Sequence, residues 1–332
     1  MSKGNNKKFM FVLVSLMVMS LWLAACGNNK TNNETNSAAT NEAATNAPAA
    51  TDAPTERILT DELGHEVTIP ANPQRIVASY LEDHLVALGI KPVAQWSVPN
   101  GIQDYLSADL EGIPTIAYDL PFEAMTSFEP DLILMAYDGN VEGEKFDQYT
   151  KIAPTFTIGD KLTADWRGAL LKIGEVVGKS EEAQKVLDTY DAKAKEAKEK
   201  LQAAVAGQSA AALWFVQGNF YIVSDQLSSG DLLYNQLGLT VPAVVKEISA
   251  TGTGNWNAIP LEKLAELDAE HIFLINSGTD TDSQALSDPI WKNIPAVKNG
   301  KVYEYPSTSS WLYAGTIAYS QVIDDVLESI VK

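Results

Sequence analysis

Asp131-Leu-Ile-Leu-Met-Ala-Tyr137 carries five apolar residues in succession, Leu132 to Ala136. A strand with no polar alternation needs cover on both faces, which is the situation of a parallel strand between layers of helix. Around it, short β-rich runs alternate with helical segments: Arg75–Ser79, Pro92–Trp96, Ile113–Ala117 and Thr155–Ile158 as strands, and Glu82–Leu88 as a helix closed by Gly89. Strands alternating with helices predict α/β units.

The same arrangement returns in the second half. Glu123 begins a helix, and eight residues later Asp131 begins the Leu-Ile-Leu strand. Glu262 begins another, and eight residues later Glu270 precedes His-Ile-Phe-Leu-Ile. Between the halves lie two amphipathic helices. Trp166, Leu170, Ile173 and Val177 share one face of the first, with Thr163 as its cap and Gly178 after its end. The second begins at Ser180, carries the stripe Ala183, Val186, Leu187, Tyr190, Ala194, Ala197 and Leu201, and stops at Gly207. Ala210–Val216 and Phe220–Val223 form a hairpin around Gly218-Asn219, and a terminal helix runs from about Gly315 to Val331.

Lys3, Lys7 and Lys8 precede an apolar run from Phe9 to Ala25, which ends in Leu23-Ala24-Ala25-Cys26. A basic start, a short apolar core and small residues before a break describe a secretory signal. The terminal four residues resemble the lipobox of bacterial lipoproteins, in which the Cys is lipidated. Cys26 is the single Cys of the 332-residue chain, so an intramolecular disulfide is excluded and the thiol stands where a lipid is attached. Gly27 to about Glu56 is Asn, Thr, Ala, Ser and Pro with scattered acids, a composition that cannot bury enough surface to fold. It is expected to act as a tether.

The formal charge is −19, and without the three signal lysines 21 basic residues face 43 acidic ones, a balance of −22. That balance excludes nucleic acid as a partner. It also disfavours strongly anionic ligands unless basic residues gather in one cleft. An enzyme is not expected: Gly-x-Ser-x-Gly, His-Glu-x-x-His and a Cys nucleophile are absent from the sequence, and paired acids such as Glu82-Asp83 are common in so acidic a chain. His65, His84 and His271 do not pair at metal-ligand spacing.

Five segments in order carry a family resemblance: Asp61-Glu-Leu-Gly-His-Glu-Val-Thr-Ile-Pro70, Asn72-Pro-Gln-Arg-Ile-Val77, Ala87-Leu-Gly-Ile-Lys-Pro-Val93, Glu129-Pro-Asp-Leu-Ile133 and Trp291-Lys-Asn-Ile-Pro-Ala-Val-Lys-Asn-Gly-Lys-Val-Tyr303. Together they resemble the class III substrate-binding proteins of ABC importers, which carry ferric siderophores, haem or cobalamin. The resemblance covers nearly all of Arg57 to Lys332. It implies two Rossmann-like α/β lobes joined by a single long connecting helix, with ligand held between them. The chain then divides into a signal peptide (1–25), a tether (26–56), an N-terminal lobe (57–160), the connecting helix (161–179) and a C-terminal lobe (180–332). A monomer lipid-anchored at Cys26 on the outer face of the cytoplasmic membrane is expected.

The resemblance also implies docking to the ABC permease subunits through one surface glutamate per lobe, and Glu123 and Glu262 stand at the matching positions. The ligand implied is a ferric siderophore, whose iron is already fully chelated. The protein therefore needs no cofactor and no metal ligands of its own, only aromatic rings and hydrogen bonds for the organic shell. Candidates lie mostly in loops after strands: Tyr80, Trp96, Tyr137, Trp214, Trp256, and Trp311 and Tyr313 in the Ser-rich Ser309-Ser-Trp-Leu-Tyr, with Arg167 as a cation for chelate oxygens. Trp166 and Arg75 are assigned structural roles. Ferrichrome-type binders often carry Trp-Gly-Arg after the second-lobe hairpin. This chain has Gln226-Leu-Ser-Ser-Gly-Asp231 instead, without aromatic or cation. A basic set for anionic catecholates is also missing, so a hydroxamate or citrate-hydroxamate complex is favoured. Haem or cobalamin held by the same fold is the alternative, with His84, Tyr80 or Tyr137 as axial candidates for haem. His84 is expected to be solvated or capping.

Overall fold

The computed structural model describes residues 55–99, 101–278 and 282–331, which belong to one compact unit. Cys26, the signal segment and the tether lie outside the described residues.

The sequence reading does not foresee the first element, an antiparallel hairpin of β1 (Arg57–Thr60) and β2 (Glu66–Ile69). Asp61 closes its turn by accepting from the backbone N–H of Leu63 and His65 and from Thr157 of the adjacent strand. The first lobe then supplies β3 (Ile76–Ala78), β4 (Gln95–Ser97), β5 (Thr115–Ala117), β6 (Leu132–Met135) and β7 (Thr155–Thr157). Pairing is parallel throughout: β6 lies between β3 and β7, β4 pairs β5, and a bridge from Val77 to Ala94 links the two groups. The spatial order is β5-β4-β3-β6-β7. Every residue of β6 is buried, as its unbroken apolar run requires.

The second lobe repeats this order. Its strands are β8 (Ala210–Val216), β9 (Asn219–Val223), β10 (Trp256–Ile259), β11 (His271–Asn276) and β12 (Val302–Pro306), arranged β10-β9-β8-β11-β12. In each lobe the strands, numbered from the lobe's first, lie in the order 3-2-1-4-5. The direction differs, because β8, β9 and β10 run antiparallel where their counterparts are parallel. The β8–β9 turn falls on Gln217 and Gly218, both at positive φ (50° and 76°), one residue earlier than the sequence suggests. A two-residue turn with both centres left-handed matches the twist of its strands.

Between the lobes the chain runs through three helices. The expected helix from Thr163 is broken at Asp165 into Asp160–Ala164 and Trp166–Val176. Thr163 does not cap it. Its hydroxyl donates to the Ala136 carbonyl at 2.6 Å, and Asp165 is the cap, accepting from Gly168 N–H at 3.2 Å. Ser180–Val205 follows and buries Ala183, Leu187, Tyr190, Ala194, Ala197 and Leu201 along one stripe. The last helix, Thr316–Ile330, packs on this long helix and on Glu82–Ala87 of the first lobe. One continuous apolar core spans both lobes and these helices. Arg75 is structural, as read from the sequence: its guanidinium donates to the carbonyls of Phe128 and Glu129.

Candidate ligand-binding cleft

A cavity of about 630 Å³ opens between the lobes. Its first-lobe wall is built at the C-terminal ends of β3 and β6, where open α/β sheets bind ligands. Tyr80 leaves β3 in a left-handed conformation (φ 59°), an uncommon state for a non-glycine residue that turns its ring toward the cavity. Tyr137 leaves β6, 38% exposed, with its ring 6.1 Å from that of Tyr80. Trp96 stands edge-on to Tyr80 at 5.0 Å, and Tyr313 of the second lobe lies 6.2 Å away. Four of the aromatic residues singled out in the sequence thus form one cluster centred on Tyr80. Burial raises the phenols of Tyr80, Tyr137 and Tyr313 above their ordinary range, so each is a neutral hydrogen-bonding group at physiological pH.

Asp165, Trp166 and Arg167 form the side nearest the connecting helices. Trp166 is buried as expected, but it also lines the cavity, edge-on to Tyr190 and Tyr319. Arg167 also lines the cavity. Its guanidinium lies over the rings of Trp166 and Tyr190, pairs with Asp191 at 2.6 Å, and reaches Gln236 Oε1 at 3.4 Å.

The second-lobe wall comes from the stretch that departs from the ferrichrome-type pattern. Gln226, Leu227, Ser228 and Asp231 all line the cavity. Ser228 is left-handed (φ 51°), and its carbonyl accepts from Tyr319 Oη at 2.7 Å. Sequence reasoning passed over these residues because it looked there for an aromatic ring and a cation.

The remaining candidates lie elsewhere. Trp311 is fully buried, stacked on Phe273 at 4.7 Å and near Tyr305, with its Nε1 donating to Asp325 at 2.9 Å. The short turn Ser310–Leu312 drops this ring into the core, while Tyr313, two residues on, faces the cleft cluster. Trp214 and Trp256 are half-buried on β8 and β10 and do not line the cavity. They meet each other at 6.4 Å, and Trp214 Nε1 donates to Ser277.

Behind the cavity, Glu82, Asp83 and His84 are all buried, so His84 is neither solvated nor a cap. Glu82 accepts from Trp96 N–H at 2.6 Å and from Gln103 Nε2 at 2.8 Å, and burial pushes its carboxyl up to about 8. Asp83 accepts from Tyr105 Oη at 3.1 Å and from Ile317 and Ala318 N–H at 3.2 and 2.9 Å, and burial raises it to about 6. Burial lowers His84 to about 4 and so keeps its ring uncharged at neutral pH. His84 lines the cavity, and its Nδ1 has no partner among the described residues.

Glu123 and Glu262 are exposed in the first turns of two helices, Phe122–Ser127 and Leu261–Leu264, each entered from a proline at the N-cap. Each helix connects the third and fourth strands of its lobe, so the two glutamates occupy equivalent places in the repeated topology.

The geometry accords with three comparisons. The Periplasmic binding protein family model matches residues 80–308. Among curated relatives, the Iron(3+)-hydroxamate-binding protein YxeB of Bacillus subtilis is 23% identical over 335 residues, covering 98% of each chain. The Probable siderophore-binding lipoprotein YfiY of the same organism is 28% identical over 340 residues, covering 96% of this chain and 97% of its own. Among solved structures, a FhuD fold-family binding component of a Fep/Fec-like ferrichrome ABC transporter from Bacillus subtilis aligns with a TM-score of 0.70 at 26% identity, covering 82% of this chain and all of its own. Staphylococcus aureus SirA complexed with staphyloferrin B aligns with a TM-score of 0.68, also at 26% identity, covering 82% of this chain and 98% of its own. With this family model spanning more than half of its length and the fold matched over 82% of the chain, the chain belongs to the periplasmic binding protein family.

Proposed function

We propose that this protein captures a ferric siderophore, of hydroxamate or citrate-hydroxamate type, in the cleft between its lobes and delivers it to an ABC permease from the outer face of the membrane. The observation that carries this reading is the inter-lobe cavity of about 630 Å³ with Tyr80, Tyr137, Trp166 and Arg167 on its walls. That volume suits a compact organic chelate. The rings pack against its apolar shell, and the neutral phenols and the Arg167 guanidinium offer donors to chelating oxygens. The iron arrives chelated and is cargo. Relatives named for hydroxamate, siderophore and ferric citrate binding support the class.

Titration of tryptophan fluorescence tests it. Trp96 and Trp166 stand at or beside the cavity, so a ferric chelate seated there quenches them by energy transfer. Saturable quenching is expected with a dissociation constant below about 1 μM, equivalent to roughly 8 kcal/mol of binding, for ferric hydroxamates or citrate-hydroxamates. Silence from both would remove the hydroxamate and citrate-hydroxamate reading, and silence from a ferric tricatecholate as well would remove the siderophore reading. A second reading, haem, gains from His84, which lines the cavity with an unpartnered ring nitrogen. A shifted Soret band in the same titration, abolished by His84→Ala, would select it.

The anchor belongs to Cys26 in Leu23-Ala24-Ala25-Cys26, and 26–56 serves as the tether. Docking belongs to Glu123 and Glu262, whose carboxylates meet permease guanidinium groups and fix the orientation of the complex. The double variant Glu123→Arg/Glu262→Arg is expected to bind ligand unchanged while cellular uptake falls on the order of tenfold or more. Uptake at the wild-type rate would place docking elsewhere.

A further inference from the structure

We propose that the cleft is selective by charge: Asp160, Asp165 and Asp231 receive a protonated amine at the end of a ferric hydroxamate, and the same carboxylates turn away polyanionic ferric complexes. This rests on the siderophore reading above and narrows it, setting citrate-containing complexes aside.

Three carboxylates reach the cavity from two stretches of chain, the exposed Asp160 and Asp165 from one side and the half-buried Asp231 from the other. Each is held by neutral donors. Asp160 accepts from Asp138 N–H at 3.1 Å and Asp165 from Gly168 N–H at 3.2 Å. Asp231 accepts from Asn235 Nδ2 at 2.8 Å and Gln236 Nε2 at 2.7 Å. None forms an ion pair among the described residues. Arg167, the single Arg or Lys on the cavity wall, is already answered by Asp191 and by two aromatic faces. His84 adds no charge at neutral pH, because burial keeps it deprotonated. Three unpaired anions thus outweigh one compensated cation, and protein walls around a concave site focus that field.

A second observation points to a ligand in the same place. His84 of the first lobe and Ser228 of the second both line the cavity, are only 5% and 8% exposed, and leave His84 Nδ1 and Ser228 Oγ without partners among the described residues. Buried polar atoms are nearly always satisfied, so two orphans lining one cavity mark where a guest supplies hydrogen bonds. A ferric ion held by three hydroxamates is neutral as a complex, and a pendant amine makes it cationic. Held by three catecholates or by citrate carboxylates it is strongly anionic, and the carboxylates oppose entry. Selectivity then comes as much from repulsion as from attraction.

The test uses the full-length chain in non-ionic detergent and three probes: the ferric complex of a linear trihydroxamate ending in a primary amine, the same complex with the amine acetylated, and a ferric tricatecholate. The free-amine complex is expected to bind about 10-fold more tightly than the acetylated one at low salt, since one charge-assisted contact is worth about a factor of ten. That ratio is expected to shrink as salt rises to about 0.5 M, and to fall toward unity in Asp231→Asn. Asp160→Asn serves in its place if the first variant does not fold. Equal affinities for the two hydroxamates in the wild-type protein would overturn charge selection and leave the siderophore reading intact. Saturation by the tricatecholate, with both hydroxamates silent, would overturn the hydroxamate assignment and the charge selection together.

Discussion

Asp83→Ala is expected to lower the unfolding free energy by about 2–4 kcal/mol at pH 7.5, read as a drop in the urea midpoint with an unchanged slope. Asp83 sits in the first-lobe helix Glu82–Ala87, yet its carboxylate caps the helix Thr316–Ile330 at the other end of the chain through Ile317 and Ala318 N–H. Gly315 stands at that junction because a Cβ there would run into the Asp83 carboxyl group. Removing the carboxylate orphans two backbone donors in a place where Asp83 itself is 3% exposed, while Tyr105 Oη keeps Gln103 Oε1 at 3.0 Å. Loss of a helix cap costs about 0.5–2 kcal/mol, and each buried donor left unpaired adds to it. Asp83→Asn keeps a capping oxygen and should retain most of the stability. A loss below about 0.5 kcal/mol in the alanine variant would mean that water replaces the carboxylate at no cost.

Between pH 6 and 8 the wild-type protein is expected to lose about 2 kcal/mol of stability that Glu82→Gln does not lose. Burial holds the Glu82 carboxyl at about 8 against an ordinary 4.5, and Asp83 at about 6 against 3.8. The folded chain therefore keeps protons that the unfolded chain has released. The stability this confers is complete below the unfolded values and is lost as pH rises, through about 6 for Asp83 and through about 8 for Glu82. Above pH 6 the slope belongs mainly to Glu82, at up to about 1.4 kcal/mol per pH unit. Glutamine is uncharged throughout. Its amide nitrogen opposes the Gln103 Nε2 donor that Glu82 Oε2 accepts, so the variant starts less stable at pH 6, but its profile should be flatter. Urea unfolding at each pH decides the matter: a variant with the wild-type slope would show that the proton resides elsewhere.

The residues differ in how visible they are from sequence for physical reasons. Leu132–Met135 announces itself because burial on both faces leaves an unbroken apolar signature. Tyr80, Trp96 and Tyr137 are legible as neighbours because they follow strands whose ends converge in an α/β sheet, and Tyr313 because a Ser-rich segment offers its ring little core; the four rings do cluster. Trp311 misled because its neighbours Ser309 and Ser310 suggest a loop. The ring's partners, Phe273 and Tyr305, come from β11 and β12, beyond the reach of local pattern. Glu82 and Asp83 looked like two more acids in an acidic chain. Their burial depends on Gln103, Tyr105 and the final helix, which no spacing rule connects to them. Asp160, Asp165 and Asp231 were invisible for the same reason: Asp160 and Asp165 are as exposed as other acids of the chain, and only the fold brings all three to one cavity.

The contact between Asp83 and Ala318 spans 235 residues. Peptide chains are made and exported in order, and the first lobe has all its strands long before residue 318 exists. Until then the acid pair has its local partners, Gln103 and Tyr105, but not the helix end that completes its shell. Closing so long a loop is slow compared with strand pairing inside a lobe. The lobe that comes first in the chain is therefore not complete until the last helix of the second has formed, and the ligand cleft, whose far wall includes Tyr319 of that same helix, has no finished form before it.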